Sequence, residues 1–242
     1  MSPPPHALAR ALTRRGSTHA VNDDRYALLD GRHAVVRDAD RGVLYAVADG
    51  VSSTGEGYIA AELTCECLSE FFTTARPPSE ELLLDLVENA DAQVRLTSES
   101  ACTLAGVWIA GPRAWVFCVG DSVVLRFRRG KLARMTPGQT RGRGLAAYIG
   151  MGSNVRPTVY LERIGVSDGD VFMLMTDGVL GCVSEGQLAE AFDLHPDPEA
   201  VLEYVQSELA RIGNDDDATL IMVQVGDPDA FPLMGRRDRR NG

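Results

Sequence analysis

The sequence predicts a single α+β domain in which a sandwich of β-sheets is flanked by helices. Three observations predict it. Short apolar runs bounded by Gly, Pro and Asp recur along the whole chain, as buried strands do. Amphipathic helical segments lie early, within residues 56–96, and late, within residues 185–212. No internal repeat and no linker divides the 242 residues, so strands and helices share one domain.

Each element has its own local reason. Residues 6–13 alternate loosely after a Pro-rich start and read as an edge strand, closed by the turn Arg14-Arg15-Gly16-Ser17. Residues 24–29 continue as a strand that Asp30-Gly31 ends as a hairpin, with residues 34–37 as the expected partner. Residues 44–48 follow as a strand. The first helix spans residues 56–74, with Ile59, Leu63, Cys67 and Phe71 on one face and Ala60, Leu68 and Phe72 beside them. Arg76-Pro77-Pro78 breaks it. Ser79 caps a second helix to about Leu96, buried through Leu82, Leu83, Leu86, Val87, Ala90 and Val94.

The middle reads as a β meander with strands at 103–110, 114–119, 122–128 and 131–135, turned at Gly111-Pro112 and Arg129-Gly130. Residues 136–144 are polar and Gly-rich and read as a mobile loop. Strands at 155–164 and 171–175, helices at 185–192 and 198–212, and a closing strand at 218–225 complete the domain. The expected organisation is a tail and edge strand at 1–13, the domain at 14–225 and a solvated tail at 226–242.

Composition narrows the function. Net charge is −10 and the pI is near 4.9, which disfavours nucleic acid as a partner. Five cysteines, an odd count without a CxxC pair, read as free thiols in a reducing compartment rather than a disulfide framework or a zinc site. No apolar run is long enough to span a membrane, and Met1-Ser2-Pro3-Pro4-Pro5-His6 lacks the apolar core of a signal peptide. A cytoplasmic monomer is the expectation.

Acids stand where apolar strands stop. Val43-Leu44-Tyr45-Ala46-Val47-Ala48 runs into Asp49-Gly50. Residues 171–175 run into Thr176-Asp177-Gly178, and residues 116–119 into Gly120-Asp121-Ser122. Two more clusters, Asn22-Asp23-Asp24 and Asp215-Asp216-Asp217, stand near the ends of the domain. An Asp at a strand end is held in a rigid frame, which suits a hard cation that needs fixed oxygen ligands. A lone Asp-Gly is more often a plain turn, and Asp30-Gly31 reads as one. Several such acids in one chain point to convergence on one metal site.

These motifs, in this order, resemble the metal-dependent serine/threonine phosphatases of the PP2C (PPM) family, in its bacterial branch. The resemblance covers roughly Thr13 to Val225 and includes Cys102-Thr103-Leu104, Ser167-Asp168-Gly169-Asp170 and Asp216-Asp217-Ala218-Thr219. It implies a central antiparallel β-sandwich flanked by helix pairs, in four αββα layers. It implies two Mn²⁺ or Mg²⁺ ions, with room for a third. By the resemblance Asp49 bridges the two ions and the Gly50 carbonyl ligates one. Asp177 and Asp216 bind the first, and Asp24 holds the second, mostly through waters. Asp23 helps order that shell, and Asp121 matches the acid of a third, weaker site. Asp168 and Asp170 read as structural, and Asp215 and Asp217 as neighbours of the ligands.

The chemistry explains such a set. Phosphate monoesters hydrolyse extremely slowly unaided. Two cations about 4 Å apart can clamp a water, lower its pKa and offset phosphoryl charge. The implied function is hydrolysis of phosphoserine and phosphothreonine in proteins, opposing a bacterial Ser/Thr kinase. Two rivals stay open. One is a catalytically weak or inactive phosphoprotein-binding regulatory domain, the other a phosphatase for a small metabolite.

Three departures from the family pattern matter most, and two more follow them. Asn22-Asp23-Asp24 stands where Asn-Glu-Asp is usual, and Asp216-Asp217 where Asp-Asn is usual. His19 stands where many members carry a phosphate-binding Arg. An imidazole offers fewer donors than a guanidinium fork. His19 therefore reads as a phosphate contact, as a proton donor, or as a plain loop residue, with Arg14 or Arg15 as substitutes for the missing charge. Val51 replaces the His that eukaryotic members place after the Gly. The short 136–144 segment, where a longer flap is usual, implies an open site that admits protein substrates.

Overall fold

The strands that form the centre of the molecule are buried almost without a break. A computed structural model describes residues 7–226, except Ser52, Thr54, Arg143 and Pro196. One sheet is built from β1 (Ala7–Arg14), β6 (Val123–Arg128), β7 (Lys131–Arg134), β11 (Val171–Met175) and β12 (Ala218–Val225). Its order is β1-β12-β11-β6-β7. The other holds β2 (Arg25–Leu29), β3 (Val43–Ala48), β4 (Leu104–Ala110), β5 (Arg113–Val119) and β10 (Tyr160–Gly165), in the order β10-β5-β4-β3-β2. Every pairing in both sheets is antiparallel.

Three apolar layers hold the sandwich. Tyr45, Val47, Val107, Val116, Phe172, Leu174 and Ile221 pack between the sheets. The helices α2 (Gly57–Thr73) and α3 (Glu80–Thr97) cover one outer face through Leu68, Phe71, Leu83 and Val87. The helices α5 (Glu185–Leu194) and α6 (Pro198–Ile212) cover the other through Leu188, Phe192, Val205 and Leu209. The result is the expected αββα stack. The Ser79 hydroxyl accepts the Leu82 amide at 3.1 Å, which is the cap read from the sequence.

Four local expectations are corrected. Residues 34–37 do not pair with β2. They belong to a short helix, α1 (Ala34–Ala39), and β2 pairs with β3 instead. The buried Asp30 accepts both the backbone and the guanidinium of Arg32, so the turn folds back on itself before a strand can form. The middle is not one meander. β4 and β5 form a hairpin in one sheet, β6 and β7 in the other, and the chain crosses between sheets at Gly120-Asp121-Ser122. The strand expected from Val155 starts at Tyr160, because Arg156–Thr158 forms a 3₁₀ turn around Pro157. In α2, Ile59 and Leu63 are only half-buried, whereas Ala61 and Thr64 are buried. The helix turns its small residues inward and lies close on the sheet.

The polar 136–144 stretch contributes β8 (Thr140–Arg141), paired with β9 (Gly144–Leu145). Gln139 ties it down: its side chain accepts the Gly120 amide at 2.7 Å and donates to the Thr158 carbonyl at 2.7 Å. All five cysteines are free, and burial pushes Cys102 and Cys118 up to about 12, so neither offers a thiolate at neutral pH. No helix among the described residues is long and apolar enough to cross a membrane. Residues 1–6 and 227–242, including most of the expected tails, lie outside the described residues.

Candidate functional site

Antiparallel pairing brings the ends of separate strands to one end of the sandwich. Asp49 follows β3, Asp121 follows β5, and Asp177 follows β11 as the first residue of a short helix, α4 (Asp177–Leu180). Asp216 precedes β12, which lies beside β11 with Met175 opposite Leu220. A cleft of about 890 Å³ opens there, lined by Asp49, Gly50, Asp121, Asp177 and Asp216 together with Thr18 and His19. Apolar contributions come from Val51, Ala101, Leu145 and Tyr148. Of the eight predicted site residues, Asp23 and Asp24 alone are not in its lining. Both are buried beneath it, 8% and 4% exposed.

Backbone contacts fix the acids. The Asp49 amide donates to Thr103 Oγ1 at 3.2 Å, and the Thr103 amide donates to the Asp49 carbonyl at 2.8 Å. Thr103 Oγ1 in turn bonds Ser122 Oγ at 2.6 Å, beside Asp121. Gly50 is required by close approach. A Cβ there would lie 2.3 Å from the Gly57 carbonyl and 2.7 Å from the Asp23 carbonyl oxygen. Gly178 is tighter still, since a Cβ would lie 2.0 Å from the Asp217 carbonyl oxygen. Gly178→Ala is therefore expected to cost about 3 kcal/mol or more, read as a shift in the urea midpoint. An unchanged midpoint would contradict this close packing.

The acids act on each other. Burial first, then the charges of Asp24, Asp177 and Asp216, hold the Asp49 carboxyl well above the usual range, and it lies within hydrogen-bond reach of Asp177. Burial pushes Asp24 up to about 7, although Thr176 Oγ1 donates to its Oδ2 at 2.9 Å. The Thr219 hydroxyl also favours the Asp24 charge, but Oδ1 is enclosed without a bonded partner. Asp121 and Asp216 are raised by burial and then by Asp177. An all-oxygen donor set with an orphaned buried carboxylate oxygen fits a hard divalent cation such as Mn²⁺ or Mg²⁺.

His19, Asp23 and Asp217 form the one group of potential ligands, among the described residues, whose ligand atoms lie within 4.8 Å of one another. Their atoms are already engaged with the protein. Asp217 accepts the Gly16 and Asp23 amides at 2.7 Å each and bonds His19 Nδ1 at 2.9 Å. Asp23 Oδ1 accepts the Tyr58 amide in the first turn of α2 at 3.0 Å. The trio is a hydrogen-bond hub that joins the β1–β2 loop to the start of β12. The Asp217 hydrogen bond, reinforced by nearby acid charges against the effect of burial, raises His19 above its ordinary pKa.

Arg15 does not reach the cleft. Its guanidinium donates to the carbonyls of His19 and Ala20 at 2.7 and 3.0 Å. Arg14 is absent from the lining as well. Asp170 is structural, as expected, with its carboxylate paired to Arg128 and accepting the Ser167 amide. Sequence reasoning missed Thr176 and Thr103, although both stand inside motifs it quoted, because their hydroxyls gain meaning only from cross-strand neighbours.

Comparison with known proteins bears on the fold and the family. No curated protein sequence matches the chain. PppA of Pseudomonas aeruginosa, a key regulatory component of T6SS, aligns with TM-score 0.73 at 21% identity, over 91% of this chain and 98% of its own. The S. agalactiae serine/threonine phosphatase aligns with TM-score 0.76 at 18% identity, over 91% and 100%. The catalytic domain of PstP, solved with two manganese ions, aligns with TM-score 0.72 at 22% identity, over 91% and 99%. These likenesses establish the fold. The family model of protein phosphatase 2C matches residues 14–220, a span that contains every acid of the cleft. By that match the chain belongs to the protein phosphatase 2C family.

Proposed function

We propose that this protein hydrolyses phosphoserine and phosphothreonine in proteins with the help of divalent cations, opposing a bacterial Ser/Thr kinase. One observation carries the reading. Six carboxylates, Asp49, Glu99, Asp121, Asp177, Asp215 and Asp216, line a cleft whose lining, among the described residues, includes no Lys or Arg. Alone, such a cleft would repel a phosphate dianion. With cations bound it becomes an anion site.

Asp49, Asp177 and Asp216 would hold one ion. Asp49, the Gly50 carbonyl and Asp24 would hold a second, with Asp23 supporting that shell, and Asp121 would serve a third. Cations held there would supply an acidified water and offset charge on the phosphoryl oxygens. Thr176 orients Asp24 through its hydroxyl, and Thr103 anchors the Asp49 backbone. His19 lines the cleft and would contact the phosphoryl group, with its raised pKa favouring the donating form. Tyr148 and Leu145 form a wall that a substrate side chain could lie against.

The test is turnover of phospho-Ser, phospho-Thr and phospho-Tyr peptides, a phosphoprotein and p-nitrophenyl phosphate, with Mn²⁺ or Mg²⁺ and then with EDTA. Cation-dependent turnover of the phospho-Ser and phospho-Thr substrates, better on protein than on the small ester, is expected. Turnover that survives EDTA would remove the mechanism. Cation binding without turnover of any substrate would favour the phosphoprotein-binding reading, which His19 at a guanidinium position motivates. Turnover of small esters alone would favour a metabolite phosphatase.

A further inference from the structure

We propose that Asp217 is a positioning residue for His19, and that the two work as one unit at the phosphoryl end of the cleft. The proposal rests on the phosphatase reading above. Asp217 is 3% exposed and does not line the cleft, so it cannot touch a phosphoryl group itself. It touches His19, which does line the cleft.

Three nitrogens converge on this carboxylate. The Gly16 amide donates to Oδ1 at 2.7 Å, the Asp23 amide donates to Oδ2 at 2.7 Å, and His19 Nδ1 stands 2.9 Å from Oδ2. Both carboxylate oxygens already accept backbone amides, so Nδ1 joins the cluster as a third donor. With Nδ1 tied back, the ring has one nitrogen left for other work. Nε2 stands 3.8 Å from Asp216 Oδ1, a cleft-lining acid. Ring orientation is thus set by a residue outside the acid set of the cleft, and with Nδ1 engaged, Nε2 donates to a phosphoryl oxygen when the ring carries both protons.

An Asn could not do the same. It has one acceptor oxygen and an NH₂ group, and that group would face one of the three donors. The two positions are also two of the places where this chain departs from the family pattern, His for Arg at 19 and Asp for Asn at 217. A guanidinium carries donors on all its nitrogens and has no tautomer to select. An imidazole does. The two residues meet at 2.9 Å.

A double-mutant cycle tests this, using kcat and KM for p-nitrophenyl phosphate in saturating Mn²⁺. Asp217→Asn is expected to lower kcat/KM by about tenfold or more in the wild-type background, mainly through KM, and by less than about twofold in the His19→Ala background. Equal losses in both backgrounds would reduce Asp217 to a scaffold residue and overturn the proposal. Should Asp217→Asn fail to fold, ¹⁵N NMR of the wild-type imidazole decides, with His19→Ala supplying the assignment. A bound proton on Nδ1 is expected, and a bare Nδ1 with the proton on Nε2 would overturn it. Absence of turnover in the wild type would instead defeat the phosphatase reading, while the NMR outcome would still report on the pair.

Discussion

Asp49→Asn is expected to abolish cation-dependent turnover and to raise the thermal stability of the metal-free protein. The two effects share one cause. Asp49 is set on the cleft floor against Asp24, Asp177 and Asp216, and each opposes its charge. A neutral isostere removes that repulsion, and its NH₂ group can donate to Asp177. Relief of about 1 kcal/mol corresponds to roughly 2–4 °C in a domain of this size. The same change removes the acid proposed to bridge the cations. Losing several kcal/mol of transition-state stabilisation, at about 1.4 kcal/mol per tenfold, means a fall in kcat of on the order of 10³-fold or more. Thermal melts in EDTA and in Mn²⁺, beside kinetics on a phosphothreonine peptide, read both effects. The wild type should gain stability from Mn²⁺ and the variant should not. Full activity of the variant, or a lower melting point in EDTA, would contradict this account of the site.

Asp49 and Asp177 were legible in the sequence because their signal is local. A buried strand writes an apolar run, and the acid that ends it stands next to the Gly that close packing demands. The bounds of α6 and β12 were legible for the same reason, since Asp197 and Pro198 start the helix and an unbroken apolar run makes the strand. Pairing was harder. A hairpin turn and a crossing between sheets use the same residues, so Gly120-Asp121-Ser122 read as one more turn of a meander. Short apolar segments are also ambiguous between helix and strand, which is why residues 34–37, part of α1, read as a strand. Asp217 reads in the sequence only as a neighbour of the ligands, and its hydrogen-bond partners were not legible there. In the sequence it is one of three identical neighbours, and only the fold separates the buried Asp217, with its three donors, from the exposed Asp215 and Asp216.

Metal-free protein is expected to lose stability as pH rises from about 4 to about 7, against the usual trend. Asp24 has its folded pKa pushed from 3.8 to about 7, and Asp49, Asp121 and Asp216 are raised as well. A group raised in the folded state binds more protons there than in the unfolded chain. Its contribution is complete below the unfolded pKa and is lost as pH climbs through the folded one. Asp24, at 4% exposure, accounts for a few kcal/mol of that loss, at about 1.4 kcal/mol per pKa unit. His19, also raised, adds loss of the same sign above its ordinary 6.5. Asp30 opposes the trend only below about pH 4, because Arg32 lowers its pKa and its contribution disappears on acidification. Cations reverse the slope, since ligation needs deprotonated carboxylates and binding to the folded state alone adds about 2.7 kcal/mol at a hundredfold excess over Kd. Melts at pH 5, 6, 7 and 8 should therefore fall by about 10 °C in EDTA and stay level or rise in Mn²⁺. A melting point in EDTA that climbs over this range would mean that the acids do not share one site.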